Sequence, residues 1–256
     1  MCAFSADYSF HRYAGSNNNL GPSATPRNLQ SLSLAPVIQW PACIEQGLCL
    51  KKLRIQVTQR SINFLSHITP LVGMLTHLEL YLTPPRLSQA LVEIVLRDGT
   101  HLESLQFEGV WFSEAPSVSF RRYSHSLPCL KKFAFSVLTR IPPPIDRDLF
   151  PAICNFLSNK PDLIALKLVV PTNSTNQANL GFDRRCWDLL PALDSLRALS
   201  ISLTSLGDSE YFSGFIPRSV TSLALLWDGH YEKVVSMVRP VGTFQDANFL
   251  TGYLLH

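Results

Sequence analysis

Leu130-Lys131-Lys132-Phe133-Ala134-Phe135 decides the fold, because the chain carries near copies of it. Leu50-Lys51-Lys52-Leu53-Arg54-Ile55 lies eighty residues earlier, and a cysteine (Cys129, Cys49) precedes each hexamer. Both place apolar residues at positions 1, 4 and 6. The same triplet recurs at Leu29-Leu32-Leu34, Leu75-Leu78-Leu80, Leu102-Leu105-Phe107, Leu163-Leu166-Leu168, Leu196-Leu199-Ile201 and Val220-Leu223-Leu225. Successive first positions lie 21, 25, 27, 28, 33, 33 and 24 residues apart. One triplet in a Leu-rich chain means little; eight at this spacing mark an internal repeat.

Positions 4 and 6 are two apart, so both side chains point to one face of a short strand. Position 1 sits in the turn entering that strand and also points inward. One unit cannot bury these residues alone. Stacking its neighbours on it gives a continuous core and a parallel sheet, with a crossover between strands. Five of the seven gaps fall within the ~20–29 residues of a regular leucine-rich repeat, and the two gaps of 33 call for insertions. The expected fold class is therefore α/β: a right-handed leucine-rich-repeat solenoid, its curved parallel sheet on the concave face, helices and irregular segments outside.

The intervening segments supply those crossovers. Apolar stripes at helical spacing run through 61–75, 87–97 and 148–159, with a shorter one at 186–193 broken by Pro191. Thr172 to Gly181 is polar and reads as a loop, the insertion behind one long gap. Pro84-Pro85 and Pro142-Pro143-Pro144 predict rigid outer loops, since proline lacks the backbone donor. Position 9 holds Asn or Cys in many such repeats; here it is Val37, Thr58, Thr83, Val110, Leu138, Pro171, Thr204 and Asp228, so the repeats are degenerate.

The repeats run without a linker, giving one elongated domain over 29–228. Residues 1–28, with Ser16-Asn17-Asn18-Asn19 and Gly21-Pro22, read as a flexible segment, and 229–256 as a C-terminal cap or incomplete repeat. Charged residues make up 16% of the chain, below the ~25% of average soluble proteins, which predicts extensive burial. A net charge of +3 with no block of like charges gives no case for nucleic acid. No secretory signal and no run of ~18 apolar residues is visible, so a cytoplasmic or nuclear protein away from membranes is expected. The six cysteines form no Cys-x-x-Cys pair and none has a His at ligand spacing; they read as reduced and mostly buried, with no metal and no cofactor.

Units such as Pro161-Asp162-Leu163-Ile164-Ala165-Leu166-Lys167-Leu168, the stretch from Pro191 to Ile201, and the Pro-rich connectors resemble the leucine-rich-repeat region of fungal F-box-type proteins, especially the divergent basidiomycete kind. The resemblance covers about Leu29 to Trp227. It implies the substrate-recognition half of a ubiquitin-ligase receptor. The F-box that docks on the ligase adaptor is absent from residues 1–28, which are too short and too polar for it. An adaptor is therefore expected as a partner only if an F-box lies upstream, and the ligase role attaches to no residue here.

In such a solenoid positions 3, 5 and 7 alternate with the buried ones and line the open sheet face. The candidate protein-binding residues are Lys52, Arg54, Gln56, His77, Glu79, Tyr81, Gln106, Glu108, Lys132 and Lys167. Arg54, His77, Glu79, Tyr81 and Glu108 form the polar centre, with Tyr and Arg as anchors. Further along, Ala165, Ala198, Ser200, Ser202, Ser222 and Ala224 make the face small and neutral. The function read from this is a non-enzymatic protein–protein interaction scaffold. Two other readings stay open: a truncated or remnant repeat array with no independent activity, and a hydrolase. His77 with Glu79, His101 with Glu103, or Cys129 near His125 would serve the last, but an open sheet face offers no pocket to tune such groups. No nucleophile-elbow, phosphate-loop or His-Glu-x-x-His motif accompanies them.

Overall fold

Each repeated triplet builds one strand of one sheet. The computed structural model describes residues 30–34, 50–57, 64–82, 89–108, 115–137, 145–170, 174–203, 212 and 214–226. The segments 1–28 and 229–256, both proline clusters and all eight position-9 residues lie outside them. Within them β1 (Ser31–Leu34), β2 (Lys52–Val57), β3 (His77–Leu82), β4 (Ser104–Glu108), β5 (Lys132–Ser136), β6 (Ala165–Val169), β7 (Ala198–Ser202) and β8 (Ser222–Leu226) form one sheet. The strands follow chain order and every pairing is parallel.

The register keeps equivalent positions opposite each other. Position 4 runs Leu32, Leu53, Leu78, Leu105, Phe133, Leu166, Leu199, Leu223 across the sheet without a slip. From Leu53 to Leu223 these side chains are at most 5% exposed. Position 6, from Ile55 to Leu225, and position 1, from Leu50 to Val220, are buried in the same core. Burying one such side chain stabilises by about 1.5–3 kcal/mol, so a register slip of one residue, which would turn a whole row to solvent, is excluded.

Backbone hydrogen bonds repeat with the same period. The carbonyl at position 2 of each unit (Gln30, Lys51, Thr76, Glu103, Lys131, Ile164, Arg197) accepts from the N–H groups of positions 2 and 3 of the next, at 2.7 to 3.1 Å. Ahead of the strand the position-1 N–H donates three residues back, as in Leu102 to Gly99, Leu130 to Leu127, Leu163 to Lys160 and Leu196 to Leu193. That turn swings position 1 inward before the chain extends.

The crossovers are α1 (Phe64–Val72), α2 (Gln89–Asp98), α3 (Ser117–Arg122), α4 (Leu149–Ser158) and α5 (Ser174–Leu180), then 3-10 turns at Arg184–Trp187 and Leu190–Ala192. α1 to α4 lie side by side in chain order, and their apolar sides join the inward strand residues in one core. The three helical stripes at 61–75, 87–97 and 148–159 are α1, α2 and α4. The short stripe at 186–193 is not an α-helix: Pro191 holds it to the 3-10 turns. The predicted loop at Thr172–Gly181 is also corrected. Ser174–Leu180 is a helix with Asn176, Gln177 and Leu180 buried, and the Gln177 amide donates to the Leu203 carbonyl at 3.1 Å. Gly181 ends that helix at φ 67°, where a Cβ would collide with the Arg147 carbonyl.

An aromatic cluster fills the middle of the core. Phe120, from α3, meets Phe133, Phe135 and Phe156 edge-on at 5.6 to 6.4 Å between centroids. Phe135 meets Phe107 and Phe150, and Phe150 meets Phe182. The three described cysteines carry free thiols; Cys186 is buried and Cys154 half-buried, but Cys129 is exposed, where the cysteines were expected to be mostly buried. Among the described residues no helix is long and apolar enough to cross a membrane.

Candidate functional site

The sheet face turned away from the core carries three rows of side chains, one per odd position. The strand-entry row is Lys52, His77, Ser104, Lys132, Ala165, Ala198, Ser222. The middle row is Arg54, Glu79, Gln106, Ala134, Lys167, Ser200, Ala224. The strand-exit row begins Gln56, Tyr81, Glu108, Ser136, Val169. All ten predicted binding residues therefore lie on one face, on five consecutive strands.

The centre of the patch is a set of contacts between neighbouring strands. The Arg54 guanidinium lies 4.5 Å over the Tyr81 ring, and its Nε is 3.7 Å from Glu79 Oε2. Tyr81 Oη donates to Glu79 and accepts from Gln106 Nε2, both at a long 3.4 Å. Burial, with the Glu108 and Glu79 carboxylates nearby, pushes the Tyr81 phenol up to about 12, so it stays protonated. The Arg54 side chain remains 57% exposed, so its pair with Glu79 adds at most about 1 kcal/mol. Stacking on the ring holds the guanidinium in one place without burying it.

Lys167 and Glu108 meet where sequence reading saw only two separate charges. Lys167 Nζ is 2.6 Å from Glu108 Oε1, with all of β5 between their strands. The lysine crosses β5 over Ala134 and Ser136, which are buried although they face outward. Small residues at two successive odd positions make that crossing possible. This was the legible signal: long charged side chains flanking Ala-x-Ser. Lys167 and Glu108 thus neutralise one another within the face.

His77 sits at the entry row. Its Nδ1 is 2.9 Å from Thr76 Oγ1, and that hydroxyl donates to the Lys51 carbonyl at 3.1 Å. The hydroxyl proton is thereby used, so Nδ1–H donates to Oγ1 and neutral His77 offers Nε2 as an acceptor. Burial, then the Lys52 and Lys132 charges, lower its pKa below the usual value against the opposing pull of Glu103 and Glu79. Thr76, at a position not read as part of the site, is therefore what fixes this ring.

His77 and Glu79 line an open face, while His125 and Cys129 are both exposed. Among the described residues no three His, Cys, Asp or Glu side chains gather as metal ligands. No protein-family model matches the chain, and no curated protein matches it.

Proposed function

We propose that this chain is a leucine-rich-repeat solenoid of the kind found in fungal F-box-type proteins, and that its open sheet face binds a protein partner without catalysis. The fold part is supported by eight parallel strands in chain order whose 1-4-6 residues stack in register into one core. Such arrays present an extended concave surface to their ligands. The functional part is carried by one observation: Arg54 stacked on Tyr81, braced by Glu79 and Gln106, on a face whose middle and exit rows are otherwise uncharged or self-neutralised. Tyrosine and arginine are the residue types on which binding energy concentrates, and here both are held in place before a partner arrives. A ubiquitin-ligase adaptor would join such an assembly only through an F-box supplied upstream. The reading places the protein in the cytoplasm or nucleus.

Quantitative affinity capture from extracts of expressing cells tests the reading. Wild-type chain is compared with Arg54→Ala/Tyr81→Ala and with Ala224→Ser at the far end of the face, each variant first shown to keep its circular dichroism. Proteins retained by wild type and by Ala224→Ser should drop out with the double variant, each hot-spot truncation costing about 2 kcal/mol or more. An unchanged set of retained proteins would overturn the assignment of the face.

A further inference from the structure

The charge left over on the open face is confined to one row. Arg54 with Glu79, and Lys167 with Glu108, account for both of the glutamates on the face. The strand-entry row carries Lys52 and Lys132 with His77 between them and no acidic residue from β2 to β8. Neither lysine has an ion pair among the described residues. Glu103, which also acts on His77, is itself bound by Lys131 at 3.2 Å.

We propose that the row Lys52–His77–Lys132 docks an acidic, extended segment of the partner protein, laid across β2 to β5 at the strand entry. The inference rests on the binding face proposed above and adds the chemistry of what it binds. Spacing sets the pattern. Neighbouring strands lie about 4.8 Å apart, so three steps from Lys52 to Lys132 span roughly 14 Å. An extended chain covers that distance in about four residues and turns every second side chain to the same side. Carboxylates at i and i+4 therefore meet the two lysines, and a side chain at i+2 meets His77 and Ser104. His77 gains a proton as the acidic segment arrives, its free form being held neutral by burial and by Lys52 and Lys132, with Glu103 and Glu79 pulling the other way. Binding should therefore tighten as the pH falls from 7 toward 5.5, roughly the window in which a histidine charges.

The probe is a fluorescent alternating Ser-Glu peptide of about a dozen residues, long enough to span the row, followed by anisotropy at low salt on the full chain. Wild type should bind it, Lys52→Glu/Lys132→Glu should lose roughly tenfold or more in affinity, and Lys52→Arg/Lys132→Arg should keep it. The pH effect should vanish in His77→Gln. No binding by wild type, an equal loss in the control Ser222→Glu on β8, or tighter binding of a single-stranded oligonucleotide of the same length would each overturn the inference. Arg54→Ala/Tyr81→Ala separates the two proposals. Partner capture lost in that variant, with wild type indifferent to the acidic peptide, leaves the binding face standing and removes the acidic ligand. Peptide binding that needs both lysines, with partner capture unmoved by the Arg54/Tyr81 variant, does the reverse.

Discussion

Two serines at the same position of different repeats have opposite roles. Ser136 on β5 is completely buried beneath the Lys167 crossing, and its hydroxyl has no hydrogen-bond partner among the described residues. Ser202 on β7 is as deeply buried, but its hydroxyl accepts from the Val170 N–H at 3.0 Å and donates to the Val170 carbonyl at 3.1 Å. An unsatisfied buried hydroxyl costs about 1–3 kcal/mol, and a satisfied one leaves its partners stranded when removed. Ser136→Ala should therefore be neutral or stabilise by about 1 kcal/mol, and Ser202→Ala should destabilise by about 1–3 kcal/mol, read as shifts of the urea midpoint. Lys160 gives the pH dependence. It is 3% exposed, its Nζ donates to the Ser124 carbonyl at 3.2 Å beyond the end of α3 and sits 4.6 Å over the Phe156 ring, and burial lowers its pKa to about 8. The unfolded chain then holds this proton more tightly than the folded one, so stability rises as pH goes from about 8 to the ordinary lysine range near 10.4. Lys160→Met should remove that rise, as the difference between the two proteins' urea midpoints across the interval.

Which elements could be read from the sequence follows from where their stabilising contacts come from. Strands β2 to β8 begin at position 3 of their hexamers because side-chain burial itself has period two, and burial is what hydropathy records. α2 and α4 show their stripes for the same reason. α3 shows none: Ser117-Val118-Ser119-Phe120-Arg121-Arg122 has one large inward residue, and the helix is held by Phe120 and by Asp146 Oδ2 accepting from the Ser117 N–H at 3.2 Å. α5 is hidden by its own composition. Ser, Thr, Asn and Gln read as turn formers, yet Asn176 and Gln177 point inward and Gln177 ties the helix to the end of β7. The entry turns at Val72, Gly99, Leu127, Lys160 and Leu193 are made by backbone groups, so no side-chain pattern announces them. Of the site, the three rows were legible from alternation; the Lys167–Glu108 crossing shows in sequence only once Ala134 and Ser136 are set between the two charges, and the Thr76 hydroxyl is fixed by the Lys51 carbonyl of the neighbouring unit, which the Thr76-His77 stretch alone does not reveal. Phe120→Ala tests the least legible element. Removing the ring that meets three others edge-on should cost about 3–5 kcal/mol, and α3 should lose hydrogen-exchange protection before the strands beside it.

Among the described residues each strand pairs only with its neighbours in the chain, while the inward side chains of strands and helices share one core. The strand edges β1 and β8 and the rows between them inherit their geometry from that stacking. The binding face is correct only if the stacking is. It also separates a working domain from a remnant array, because a remnant would open locally at many rungs. Hydrogen exchange on the native chain, resolved to individual strands, measures this directly. The account predicts that amides within Ser104–Glu108, Lys132–Ser136, Ala165–Val169 and Ala198–Ser202 are slowed together by more than roughly a thousandfold, as ~5 kcal/mol of shared stability requires. Exchange at the rate of an unfolded chain in any one of those four strands, while its neighbours stay protected, would contradict it.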